Sequence, residues 1–265
     1  MIRALFLRNV RQHLGLLGVL SLGLFLFQLA VVWLAARLDL GPQFRAFLQT
    51  LIPPGFVDVI FSQFGFGSFA GTISFGYQHP LALISGIALV VVMATVPAQE
   101  RESGILDLFL SKPVPRATYL GANLLGVFFT ALLIASVVLA GTTFGLTLVE
   151  VAEPVRWADY LPSALALFLL LQAVGSYTLL FSTGARRRGI ATAQAVGLTL
   201  LFYWLDFMGD YWDLLETARY LSPFFYFDPA RAAQTGLAIG DAWVLLGISL
   251  ILVPAAFLNF QRQDL

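Results

Sequence analysis

Apolar residues run through six stretches of the chain with almost no charge inside them: 15–36, 81–98, 119–149, 160–182, 190–204 continuing toward 209, and 242–258. At a rise of about 1.5 Å per residue, about 20 helical residues cross a hydrocarbon core of about 30 Å, so each stretch predicts a transmembrane helix. The third is longer than needed and is expected to tilt or to reach past the membrane. Residues 1–14 show a different pattern. Projected at 3.6 residues per turn, Ile2, Leu5, Phe6, Leu7, Val10 and Leu14 fall mostly on one side. Arg8, Asn9, Arg11 and Gln12 fall on the other, with Arg3 and His13 at the edges, which predicts a helix lying flat along the membrane surface.

Two further segments are too long to be turns. Segment 39–80 mixes apolar residues with Pro53, Pro54 and the glycines Gly65, Gly67, Gly71 and Gly76, and its helical piece at 44–51 is expected to lie in the interface. Segment 206–241 contains the aromatic run Tyr220-Leu-Ser-Pro-Phe-Phe-Tyr-Phe227, which is too apolar for a free loop and is expected to pack at the outer leaflet. The fold class is therefore all-α integral membrane. It comprises six transmembrane helices in one domain over residues 1–265, an interfacial helix at 1–14, a cytoplasmic helical loop at 99–118 and outer segments at 39–80 and 206–241.

Composition agrees with lipid as the solvent. Hydrophobic residues make up 59% of the chain and charged residues 11%, against about 25% charged in an average soluble domain. Cysteine is absent, which removes disulfides, thiolate metal sites and thiol nucleophiles. The formal net charge of zero gives no reason to expect a nucleic-acid partner. Arg3, Arg8 and Arg11 before an apolar run resemble a signal peptide, but no small-residue cleavage site follows, so an uncleaved first helix is expected.

The distribution of charge predicts orientation. With the amino terminus inside, the cytoplasmic segments 1–14, 99–118, 183–189 and 259 onward carry ten of the fifteen Lys and Arg residues and four acids. The other face carries five arginines and eleven acids. Basic excess in short loops marks the cytoplasmic side, so both termini are expected there, in a multi-pass protein of the plasma (inner) membrane. Trp33, Trp157, Trp204, Trp212 and Trp243 would all fall at the outer interface, where indole rings are favoured. The triplet Arg186-Arg187-Arg188 reads as a topology anchor beside anionic lipid headgroups.

The chemically informative segment is Glu100-Arg-Glu-Ser-Gly-Ile-Leu-Asp-Leu-Phe-Leu-Ser-Lys-Pro-Val-Pro-Arg116. It reads as a short amphipathic helix between the second and third spans. Acids open it, Lys112 closes it, and Pro113 and Pro115 stop it. Ile105, Leu108 and Phe109 stand at i, i+3 and i+4 and form an apolar ridge framed by charge, suited to docking on a soluble partner.

This segment resembles the hallmark of ABC-2 type permeases, the membrane subunits of a large class of ABC exporters, whose pattern is Glu-Arg-Glu-x-Gly-Thr-Leu-(Asp/Glu)-Leu-Leu-Leu-Ser-x-Pro-Val-x-Arg. The match is at Glu100, Arg101, Glu102, Gly104, Leu106, Asp107, Leu108, Leu110, Ser111, Pro113, Val114 and Arg116, with departures at Ile105 and Phe109. Leu221-Ser-Pro-Phe224 and the tail Phe260-Gln-Arg-Gln-Asp-Leu265 are also similar to stretches of single-domain members. The resemblance implies that Glu100, Arg101, Glu102, Gly104, Ile105, Leu108, Phe109 and Arg116 form a coupling helix seated on an ATP-binding subunit. It also implies a dimer of permeases with two ATPase subunits, and a pathway lined by the second and fifth helices. The chain has no GxxxxGK[ST] loop, so ATP and magnesium are expected on the partner, with no catalytic residue, metal site or directly bound cofactor here.

Polar residues within the spans include Gln28, Asn123, Gln172, Thr192, Gln194 and Tyr203, and interhelical hydrogen bonds are the common use of such residues. Gln194 and Tyr203 on the fifth span, with Met93 on the second, are the candidates for the substrate pathway. Its apolar lining, with Phe202 and Phe207 nearby, points to hydrophobic or amphipathic cargo. Asp206, Asp210, Asp213 and Glu216 share a helical spacing and read as a solvated outer surface, a cation site being the alternative. His79 beside Pro80 is read as a cap or interfacial residue. Two other classes weighed against the permease are an intramembrane enzyme, whose signature would be ionisable residues within the spans, and a stand-alone secondary transporter, which would show paired helix breaks.

Overall fold

The computed structural model describes residues 1–37, 42–53, 55, 57, 68–110, 115–150, 155–209 and 211–262. Every regular element among them is helical. Six are long and apolar enough to cross a membrane: Leu14–Arg37, Phe69–Ala94, Arg116–Leu148, Trp157–Gly184, Arg188–Gly209 and Ile239–Gln261, called the first to sixth spans below. Shorter helices are Ile2–Gln12 at the amino terminus, Pro42–Leu51, the pair Val96–Glu102 and Ile105–Leu110 after the second span, and Pro229–Thr235 before the sixth.

The fourth span is the centre of the bundle. It is apolar all round, as a helix enclosed by others must be, and 72% of its most apolar window is buried, against 17% for the fifth and sixth spans. It packs on the second, third, fifth and sixth spans. The main core runs through Leu89, Val90 and Met93 of the second span, Val127, Ala131 and Ile134 of the third, and Leu167, Leu170 and Leu171 of the fourth.

The second span begins at Phe69, earlier than the position near 81 that the apolar run suggested. Its first part, Phe69–Gln78, is rich in small and polar residues and therefore reads as loop. In the folded chain Gly71, Thr72, Ser74 and Gly76 are buried, against the first span and the helix Pro229–Thr235. Small side chains at such contacts let helices approach closely, which hydropathy alone does not register. A break at His79–Pro80 divides the span, and there His79 Nδ1 accepts from the Leu81 N–H at 3.1 Å, a cap for the second part.

The first span is held to the third by close approaches at Gly141 and Gly145, the latter against Val32, and by a polar cluster. A Cβ on Gly141 would stand 2.9 Å from the Phe25 carbonyl oxygen and 2.9 Å from Gln28 Cβ, so only glycine admits this backbone. That proximity carries the Gln28 amide to the Thr142 hydroxyl, to which it donates at 2.9 Å, and to the Ile73 carbonyl at 3.2 Å. The Tyr77 hydroxyl meets Thr142 at 2.9 Å, so three spans share one buried polar knot.

The aromatic outer run packs on the bundle. Ser222 Oγ donates to the Phe202 carbonyl at 2.8 Å and accepts from Phe224 N–H at 3.1 Å, while Phe224 and Phe227 are buried. All five tryptophans are exposed, at chain positions remote from the end of the bundle that carries the motif segment.

Gly141→Ala is expected to lower the stability of the purified chain by about 1–3 kcal/mol, since the added methyl meets a backbone oxygen that cannot move aside. Gly247→Ala, where a Cβ meets nothing within 4 Å, should leave the thermal unfolding midpoint in detergent unchanged or higher. Equal midpoints for the two variants would mean that the spans do not touch at Gly141.

Candidate functional site

The motif segment begins where the second span stops. Thr95 closes the span, its hydroxyl donating to the Val91 carbonyl at 2.8 Å, and Pro97 falls in the first turn of the next helix, Val96–Glu102, where a missing N–H does no harm. Successive residues on a helix point about 100° apart. Glu100, Arg101 and Glu102 therefore cannot share a face, and each reaches a different element.

Glu100 turns inward and is 5% exposed. One carboxylate oxygen pairs with the Arg8 guanidinium of the amino-terminal helix and the other accepts from the Tyr119 hydroxyl of the third span at 2.5 Å. Arg8 also donates to Asn9 Oδ1 at 2.9 Å, Asn9 Nδ2 donates to Asn123 Oδ1 at 2.9 Å, and Asn123 Nδ2 donates to the Tyr119 carbonyl at 3.0 Å. The Tyr119 ring stacks on Phe260 of the sixth span at 5.7 Å. Asn9, which the helical projection puts on the outward polar side, is 1% exposed. Leu5 is buried and Phe6 and Val10 pack on the core, so this helix turns part of its polar face inward as well.

Arg101 donates from Nη1 to the carbonyls of Thr183 at 3.0 Å and Ala185 at 2.7 Å, closing the end of the fourth span. Glu102 accepts from the Arg188 backbone N–H at 2.9 Å and so caps the start of the fifth. Arg116 donates to the carbonyls of Phe260 at 3.3 Å and Gln261 at 3.0 Å, at the end of the sixth. Helix ends leave N–H and C=O groups without intrahelical partners, and three motif charges supply them here. Both terminal regions thereby meet the motif at the same end of the bundle.

One amphipathic helix was expected over the segment; two short ones form, with a turn at Ser103–Gly104. Gly104 has φ +70°, a left-handed conformation that costs other L-residues about 1–2 kcal/mol. Ser103 N–H returns to the Gln99 carbonyl and Gly104 N–H to that of Arg101, both at 3.1 Å. On the following helix, Ile105–Leu110, Leu106 is fully buried while Ile105 and Leu108 are 41% and 68% exposed. The backbone of Phe109 lies in this helix; its side chain lies outside the described residues, as does Asp210.

The pathway candidates separate. Tyr203 lines an apolar groove of about 540 Å³ between the second and fifth spans, with Leu83, Ile87, Val91, Val196 and Leu200 among its walls. Gln194 lines a different pocket, at the motif end between the fourth, fifth and sixth spans. Met93 is 1% exposed, sits in the main core and is not among the groove's lining residues; a Cβ on Gly126 would stand 3.0 Å from its methyl. Of the acidic set, Asp206 pairs with Arg219 at 3.4 Å, and Asp213 and Glu216 are exposed.

The family described as ABC-2 family transporter protein matches residues 55–265, most of the chain and all of the motif. The chain belongs to the ABC-2 transporter family. It is thus a multi-pass membrane protein and a permease subunit of an ABC transporter, and membrane subunits of this family generally partner with ATP-binding subunits. No individual curated protein matches it. The amino-terminal helix and the first span precede the ABC-2 match, yet Arg8 and Asn9 complete the surroundings of Glu100 within it.

Sequence reasoning did not find Arg8, Asn9, Tyr119 or Ser182, whose hydroxyl accepts from the Ala98 N–H at 3.1 Å. The available signal was Asn123, an asparagine inside an apolar span, whereas Asn9 stands on the polar side of its helix and gave none. Glu100→Gln is expected to destabilise the chain by about 3–5 kcal/mol, because it leaves the Arg8 charge facing a neutral amide in a largely buried site. Arg8→Met combined with Glu100→Gln should recover part of that loss. Additive losses in denaturant unfolding would show that the two side chains do not interact.

Proposed function

We propose that the chain is the membrane half of an ATP-driven exporter, and that the helix Ile105–Leu110 is where a separate ATP-binding subunit docks. The observation that carries this is the division of the motif. Its charges Glu100, Arg101, Glu102 and Arg116 are engaged within the chain, while Ile105 and Leu108 are exposed on a helix that follows the turn at Gly104 and is anchored by buried Leu106. Large apolar residues at an exposed end of a membrane bundle, framed by charge, fit a docking ridge on a soluble partner. Glu100, Arg101, Glu102 and Arg116 then act by holding the ridge in place, with Gly104 setting its angle and Phe109 completing it.

ATP and magnesium belong to the partner in this reading, which puts the motif end and both termini in the cytoplasm, as the basic excess of that end suggests. The assembly is a dimer of permeases with two ATPase subunits. The groove between the second and fifth spans, with Tyr203 on its wall, is the candidate pathway, and its apolar lining favours hydrophobic or amphipathic cargo leaving the cell.

Co-expression with an ATP-binding subunit encoded beside the gene tests the reading. The two are expected to co-purify and the complex to hydrolyse ATP. Leu108→Glu with Ile105→Glu should reduce co-purification at least about tenfold, since charges would replace the centre of the apolar contact, while the thermal midpoint of the chain alone stays unchanged. A complex that forms equally well with the double variant would place docking elsewhere.

A further inference from the structure

The pocket that Gln194 lines has no part in docking or in the groove, and its chemistry is distinct. It encloses about 490 Å³ where the fourth span ends, the fifth begins and the sixth ends. Its apolar side is Leu180, Phe181 and Ile190, and its polar side is Arg186, Gln194 and Asn259. All three polar residues carry N–H donors and none carries a fixed negative charge. The Arg186 side chain is exposed, and the described residues give it no hydrogen bond or ion pair. Arg187 and Arg188 adjoin it in sequence.

The end of a helix ordinarily repels an anion, because its free carbonyls carry about half a negative charge. Here that obstacle is reduced. Arg101 donates to the carbonyls of Thr183 and Ala185, the latter a lining residue, and Asn259 Nδ2 donates to the Thr183 hydroxyl at 3.1 Å. Glu102, on the helix Val96–Glu102, is turned to the Arg188 N–H. The site thus offers donors and positive charge at the end of the bundle and an apolar wall leading along the spans.

We propose that this pocket binds one anionic phospholipid, with its phosphate on Arg186, Gln194 and Asn259 and an acyl chain along Leu180, Phe181 and Ile190. Charge complementarity selects the headgroup and the apolar wall selects a lipid over a soluble phosphate. Because Arg101 and Glu102 of the motif hold the turn that floors the pocket, the lipid braces the loop against the fourth and fifth spans. Lipid composition then sets the firmness of the motif end.

The test uses the full chain in nanodiscs of phosphatidylcholine with and without phosphatidylglycerol. Native mass spectrometry after release counts retained lipid, and thermal unfolding reads its effect. Wild type is expected to retain one phosphatidylglycerol in preference to phosphatidylcholine and to unfold at a higher temperature with it. Arg186→Gln should weaken retention about tenfold or more, the scale of one charge-assisted hydrogen bond, and should abolish the thermal shift. Arg187→Gln removes the same charge beside the pocket and should stay within about twofold of wild type, as screened surface charge does. Equal loss in the two variants would reduce the effect to general surface charge and overturn the proposal. So would equal retention of the two lipids, or displacement of phosphatidylglycerol by glycerol phosphate.

Discussion

Glu100 is buried with both carboxylate oxygens engaged, and the architecture of the motif end follows from that requirement. Taking a carboxylate out of water costs several kcal/mol unless a cation and further donors meet it. Arg8 supplies the charge only if the amino-terminal helix lies across the third span. That placement brings Leu5, Phe6 and Val10 onto the core and sets the Phe6 ring edge-on to Phe129 at 5.7 Å. Tyr119 supplies the second donor only if the third span starts beside the helix Val96–Glu102 that carries Glu100. One ion pair thus fixes three elements, and the stacked Tyr119–Phe260 rings extend the order to the sixth span.

The same logic operates inside the bundle with neutral groups. Where lipid offers no hydrogen bonds, a polar side chain on a span finds its partner on another span, so each such pair acts as a positional constraint. Gln28, Thr142 and Tyr77 join the first, third and second spans. Tyr177 and Thr199 join the fourth and fifth, their hydroxyls 2.5 Å apart. At its middle the fourth span packs through the apolar side chains Leu167, Leu170 and Leu171 in the main core.

Hydropathy made the six spans legible because crossing a membrane is a requirement on length and composition, which a sequence displays directly. The motif was legible as a pattern, and the match over residues 55–265 agrees with it. What each residue touches was not legible. The start of the second span escaped because Gly71, Ser74 and Gly76 suit a buried helix contact as well as a loop. Asn9 escaped because amphipathic projection assigns polar residues to water, whereas a buried ion pair recruits them. The helix break at Gly104 escaped because the segment reads as one amphipathic helix, and no local signal separates a glycine within a helix from one in a left-handed turn. Gln194 and Tyr203 lie on the same span yet line different cavities, a separation set by the neighbouring helices and invisible in one helix alone.

The geometry of the motif has a mechanical consequence. The helix Val96–Glu102 follows directly from the second span and is bonded to the fourth through Ala98 and Arg101 and to the fifth through Glu102. The exposed ridge begins one turn later, past Gly104. In the proposed docking, a push on Ile105 and Leu108 would therefore reach the joined ends of the second, fourth and fifth spans together. The groove between the second and fifth spans is tied at that end by the bond from Glu102 to the Arg188 N–H, and toward the other end Tyr203 meets Phe224 ring edge to face at 5.6 Å. The first contact joins the helix that continues the second span to the fifth span through a solvent-exposed hydrogen bond, whereas the second joins the fifth span to the outer aromatic run, so the second and fifth spans are bonded to one another at the motif end.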